Sequence, residues 1–259
     1  ERLETVKSLF YEINIGATAI GSGINAPPGY REKAVDHLSK LTGFPLVSST
    51  DLIEATWDTG AYVQLSGVLR RLAVKLSKIC NDLRLLSSGP YGGLNEINLP
   101  RMQPGSSIMP GKVNPVIPEV VNQIAFQVIG MDLTVTLAAE AGQLQLNVME
   151  PVMAFDLFSM LEMLKRGCRV LRERCIKGIT ANEDRCRKLV LGSSSIVTAL
   201  NPVIGYEAAA EIAKQALEEG KSVRELVLEK ELIAEERLDE ILSVENLMHP
   251  RFFSKAIDH

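Results

Sequence analysis

Aromatic side chains are scarce in this 259-residue sequence, at 5%, and without them a single-stranded nucleic-acid binder lacks its stacking platform. Basic charge is not in excess either. Lys and Arg number 28 against 32 Asp and Glu, a net charge of −4, so there is no electrostatic footprint for nucleic acid or for an anionic membrane surface. Three histidines, His37, His249 and His259, stand far apart with no HxxxH or HxxE pairing, which calls for no transition metal. The four cysteines, Cys80, Cys168, Cys175 and Cys186, show no CxxC spacing and are too few for a disulfide framework. They read as reduced thiols of a cytoplasmic protein. No uninterrupted apolar run reaches 18 residues, so no membrane span is expected.

What is present is ordinary for a folded globular chain: 46% hydrophobic and 23% charged residues, enough to bury a sizeable core. Leu65, Val68, Leu69, Leu72, Leu76, Ile79 and Leu83 repeat at three-four spacing, one buried helical face. With Asp51 as N-cap and Ser87-Ser88-Gly89-Pro90 as stop, the pattern predicts a helix from Asp51 to about Leu86, about 50 Å long. A second helix is expected from near Pro118 to about Gly142, and a third from Pro151 to about Arg174. Three such lengths predict an all-α fold, a long-helix bundle. The opening ERLETVKSLFYEINIG is a helical pattern without Met or N-cap and reads as a start inside a helix. Beyond Gly178 the segments shorten and turn acidic, which places a boundary near residue 180: a bundle domain over 1–180 and a small helical C-terminal domain over 181–259. The many Asp and Glu between 207 and 245 are expected to form a solvated face.

Between the first two long helices runs SSGPYGGLNEINLPRMQPGSSIMPGKVNP, residues 87–115. It has no periodicity and is long enough to be either disordered or functional. Within it, residues 104–115 place Ser106, Ser107, Lys112 and Asn114 between Gly105 and Pro115. Glycines permit close backbone approach, and hydroxyls, carboxamide, ammonium and exposed N–H groups suit a carboxylate. A lone serine becomes a base only if its alkoxide is stabilised by such donors and a cation. On composition alone, a surface turn that merely reverses the chain is the preferred reading. A second GSSI string, Gly192 to Ile196, has no lysine at the corresponding place and is expected to be a helix-to-helix turn.

The string GSSIMPGKVNP resembles the signature loop of the aspartase/fumarase superfamily of lyases. IGATAIGSGIN (15–25), KICNDLRLLSSGP (78–90), GLNEINLP (93–100), LNVMEP (146–151), GITAN and TALNPVIGYEAA read like the same superfamily, so the resemblance spans nearly the whole chain. The wording AEAGQLQLNVMEP is similar to the aspartate ammonia-lyase branch. Class II fumarases carry a motif like ELNVFKP, with Glu where Gln145 stands and Lys where Glu150 stands. The resemblance implies Ser106 as the base that removes a proton next to a carboxylate, Ser107 as its neighbour in the oxyanion-binding part, and Lys112 and Asn114 as holders of a substrate carboxylate. It implies Glu119 as a carboxylate that pairs with a histidine on another segment. It further implies L-aspartate and fumarate as substrate and product and a homotetramer with shared sites; the residue pattern itself calls for no cofactor and no metal. The upstream Thr/Ser-rich segments and the Thr-His motif of the superfamily have no counterpart here. The chain is therefore expected to be the C-terminal part of such an enzyme, inactive alone. Class II fumarate hydratase is the alternative, and a non-catalytic structural relic of a lyase is the alternative of another class.

Overall fold

A computed structural model of the chain describes residues 2–90, 92–104 and 112–249. It is built from helices that fall into two compact units, Glu1–Thr180 and Ala181–His259.

The first unit opens with short pieces. Helix α1 (Arg2–Lys7) is followed by strand β1 (Glu12–Ile13), helix α2 (Tyr30–Thr42), strand β2 (Val47–Ser48) and helix α3 (Glu54–Trp57). The two strands pair in parallel, Glu12 opposite Val47 and Ile13 opposite Ser48. Gly21, at φ +82°, lets the chain lie against the segment before α3: a Cβ there would sit 2.3 Å from the Leu52 carbonyl oxygen.

Three long helices follow, α4 (Gly60–Leu86), α5 (Val116–Glu140) and α6 (Glu150–Arg174). The first is shorter than its sequence pattern predicts. The Asp51 carboxylate does accept N–H groups of Ile53 and Glu54, at 2.9 and 3.1 Å, but at the entry to the four-residue α3. Asp58 then turns extended and accepts the Gly60 N–H at 3.1 Å, so α4 starts afresh with 27 residues, about 40 Å. Its apolar face begins at Leu65, which is why periodicity could not see the break. Pro118 lies in the first turn of α5 and Pro151 in that of α6, positions where the missing N–H costs nothing.

The three helices run up, down and up. Leu69 and Ala73 of α4, Ala125, Val128 and Val135 of α5, and Met153, Leu157 and Met160 of α6 form one buried cluster. Cys80, Val121, Leu171 and Cys175 form another toward the start of α5. Among apolar neighbours α5 also buries two polar residues. Asp132 accepts from Ser66 Oγ at 2.8 Å and from Arg70 Nη1 at 2.7 Å. Asn122 donates from Nδ2 to the Ser77 carbonyl, Ser77 Oγ and Asn81 Oδ1 at 3.1, 2.9 and 3.0 Å. These pairings fix α4 and α5 as antiparallel.

Helix α5 departs from the expectation of no apolar span. It is long and apolar enough to cross a membrane by length and composition, with a mean hydropathy of 1.3 over its best stretch. Asn122, Gln123, Gln127 and Asp132 break it up as an uninterrupted run, but the aliphatic residues between them keep its average high, and a bundle's central helix meets the same test.

The second unit holds α7 (Glu183–Leu191), α8 (Asn201–Ile204), α9 (Tyr206–Glu219), α10 (Val223–Glu229), α11 (Glu235–Ile241) and α12 (Val244–Met248). Leu200, Ile212, Leu226, Leu238 and Ile241 are its fully enclosed core. Ser222 and Glu225 close a capping box on α10. The GSSSI string takes the turn role: Ser193 Oγ accepts the Ser195 N–H at 3.3 Å and starts a single 3-10 stretch, Ser194–Leu200. The acidic residues stand in solvent, many of them ion-paired, as where Arg224 joins Glu235 and Asp239.

Candidate functional site

The segment after α4 is not a free loop. Ser88 Oγ donates to the Leu85 carbonyl at 2.6 Å and accepts the Leu94 N–H at 3.1 Å. The Ser88 carbonyl accepts from Asn95, and that of Leu86 from Glu96, at 2.7 and 2.9 Å. Asn95 adopts a left-handed φ of +52° to make this return, a conformation that Asn tolerates. Gly93 lies so close under Ser88 that a Cβ would come within 2.4 Å of its backbone. Thus the described residues among 87–99 fold back over the end of α4, and Asn98 Nδ2 donates to Thr180 Oγ1 at 3.2 Å.

The returning segment meets the run that leads into α5. Ser87, Gly89, Asn95, Asn98, Leu99 and Val113 line a small, mainly polar cavity of about 100 Å³. Val113 stands between Lys112 and Asn114, both half-buried. The Asn114 carbonyl accepts the Val116 N–H at 2.9 Å and that of Pro115 accepts the Glu119 N–H at 3.1 Å, so this run turns directly into the helix. Glu119, in the first turn and half-buried, is well placed against the positive end of the helix dipole.

Ser106 and Ser107, predicted as base and oxyanion partner, lie outside the described residues. Lys112, Asn114 and Glu119 are gathered at one end of the bundle, where α4 ends and α5 begins. Among the described residues, neither the Lys112 ammonium, the Asn114 carboxamide nor the Glu119 carboxylate has a hydrogen bond or ion pair. Half-buried charges left in this state cost free energy unless something else meets them.

Sequence reasoning missed the ring behind Glu119. Asn122, 3% exposed, follows it by one turn and is held by Ser77 and Asn81. Arg84 Nη1 donates to Asn122 Oδ1 at 3.4 Å and to Asn81 Oδ1 at 3.5 Å. The available signal was a polar residue in the apolar stripe of α5. The thiols are structural: burial, and then the nearby Cys175, push the Cys80 thiol up to about 11. Among the described residues no cluster of His, Cys, Asp or Glu is arranged to hold a metal ion. A larger cavity of about 600 Å³ opens at the other end of the bundle, but its walls are Phe10, Tyr62, Leu65, Pro151 and Phe158 with Glu150 at the rim. It offers apolar surface and no cation.

The family model described as Lyase matches residues 1–130, and that described as Fumarase C C-terminus matches residues 196–249. Aspartate ammonia-lyase of Pseudomonas fluorescens is 63% identical over 96% of the chain and 52% of its own length. The Escherichia coli protein of that name is 58% identical over 98% of the chain and 53% of its own length. A solved structure described as fumarate lyase:delta crystallin from Brucella melitensis bound to cobalt superposes with a TM-score of 0.89. It is 57% identical, over 93% of this chain and 52% of that one. A class II fumarase from Schistosoma mansoni superposes at 0.88 with 33% identity, over 96% of this chain and 56% of that one. The chain spans about half the length of the curated relatives it matches.

Proposed function

Since the chain belongs to the lyase family of the aspartase/fumarase superfamily, we propose that it supplies the proton-abstracting and carboxylate-holding part of an ammonia-lyase that converts L-aspartate to fumarate and ammonia. The observation that carries this reading is a pair of half-buried charges, Lys112 and Glu119, that have no partner among the described residues and stand where α5 begins.

The hydrogen to be removed, on Cβ of aspartate, is very weakly acidic. Its loss becomes feasible when the electron pair flows into the adjacent carboxylate, giving an aci-carboxylate dianion that meets preorganised donors. Ser106 is the base in this scheme. Ser107, the loop N–H groups, Lys112 and Asn114 take up the developing charge, the ammonium by Coulomb attraction and the carboxamide by donating. Collapse of the dianion then forms the carbon–carbon double bond and expels ammonia from Cα. Glu119 holds a histidine from another segment in its working orientation.

Ammonia rather than water is the preferred leaving group. The ammonia-lyases above are 58–63% identical to this chain and the class II fumarase 33%, and Gln145 and Glu150 depart from the fumarase wording. Exposed apolar side chains on α5 and α6, Phe126 and Phe158 among them, support assembly with further copies, a homotetramer whose sites draw residues from several subunits. Reduced Cys80, Cys168, Cys175 and Cys186 suit a cytoplasmic setting.

The test is direct. An intact lyase subunit carrying this segment releases ammonia from L-aspartate, and Ser106→Ala or Lys112→Ala lowers kcat by about a hundredfold or more. The 259-residue chain alone turns over little. Hydration of fumarate without ammonia release, or near-normal kcat in Ser106→Ala, would overturn the reading.

A further inference from the structure

We propose that Asn122 is a positioning residue for this reaction: its carboxamide pins α5 to α4 in the one register that places Glu119 and the Lys112–Asn114 run against the end of α4. The inference rests on the reading given under Proposed function.

The seam between α4 and α5 is mostly apolar, through Leu69, Ala73, Ala125, Val128 and Val135. Such a seam buries similar area in neighbouring registers, so ridges and grooves alone discriminate weakly against a slip of one turn, about 5.4 Å. Asn122 discriminates strongly. In the observed register its amide nitrogen meets two acceptors on Ser77 and one on Asn81, and its oxygen accepts from Arg84. A slip of one turn would take Asn122 out of its place between Ser77 and Asn81 and break up this set of bonds.

A second pin, Asp132 with Ser66 and Arg70, lies ten residues on, about 15 Å along the axis. The two pins do the same structural work on the same pair of helices. Only Asn122 is next to the site. It follows Glu119 by three residues, which puts both on one face of α5. Its partner Arg84 precedes by three residues Ser87, which lines the small cavity. A misplacement of about 1 Å at a reacting group is enough to cost two orders of magnitude in rate. The pin near the site therefore acts on chemistry as well as on stability, and the distant pin acts on stability alone.

The experiment compares Asn122→Leu with Asp132→Asn in an intact lyase subunit. Asn122→Leu lowers kcat at least about tenfold with KM for L-aspartate held within about threefold, and shifts the acidic limb of the kcat pH profile as the pairing of Glu119 with its histidine is disturbed. Asp132→Asn lowers Tm but leaves kcat within about twofold. Equal losses of kcat in both variants, or an unchanged kcat and pH profile in Asn122→Leu, overturn the proposal. Should Asn122→Leu not fold, Asn122→Ser keeps one donor toward α4 and is read in the same way. The wild-type arm reads the proposed reaction by itself. If it fails, a crystal structure of the Asn122→Leu variant still decides the pin: displacement of Glu119 relative to Ser77 by more than about 1 Å supports it, and an unmoved Glu119 refutes it.

Discussion

The two units solve the burial problem in opposite ways. In the second, short helices close over Leu200, Leu226, Leu238 and Ile241, all 0% exposed, and capped termini and ion pairs face the solvent. In the first, three helices of 25–27 residues bury one stripe each and leave others bare, with Phe158 at 73% exposed. A self-contained core and a half-covered one in the same chain show that amphipathic periodicity reports how much of a helix wants covering, not what covers it.

The comparison can be broken most sharply in the second unit. Leu226→Ala should cost about 2–5 kcal/mol, read as a lowered unfolding midpoint, whereas Phe158→Ser should leave folding almost untouched and reduce self-association in sedimentation. Equal destabilisation by the two would mean that the face on α6 is not bare. The next effect belongs to the enclosed end of the bundle. The Cys80 pKa is raised on folding, so its contribution to stability is full below the ordinary thiol pKa and is lost as pH rises toward about 11. Wild-type stability should therefore fall across that alkaline window, and Cys80→Ala should flatten the fall. A smaller effect of the same sign is expected at Asp156, whose carboxyl burial pushes up from its ordinary value. Its ionised form is disfavoured in the folded state at neutral pH, so Asp156→Asn should raise Tm, and the gain should vanish in acid. Smallest is Arg224→Ala. Its pairs with Glu235 and Asp239 are solvent-exposed and should shift the unfolding midpoint little, less still in high salt.

The helices were legible because Leu69, Leu72, Leu76 and Leu83 or Leu157, Leu164 and Leu171 repeat at helical spacing. The break at Asp58 was not, because a side chain turning on its own backbone leaves no periodic mark. The return of residues 92–99 toward Ser88 was equally hidden, since it depends on Ser88 and on Asn95 at positive φ. Of the site, Lys112, Asn114 and Glu119 could be picked out through family resemblance; spacing alone describes a turn as well as an anion cradle. The pins were half legible. Asn122 and Asp132 stand out as polar residues in the stripe Asn122, Ala125, Val128, Asp132, Val135, but their partners lie 38 to 66 residues away, beyond any local pattern.

The close approach of Gly93 to Ser88 bears on how this region can be redesigned. Residue 93 has no permissive substitution, because even one methyl group would collide with main-chain atoms that cannot yield. Libraries meant to reshape the small cavity for a different acid should therefore leave the glycine alone and vary Val113, whose exposed side chain forms part of the wall, rather than Leu99, which packs against the core of the bundle.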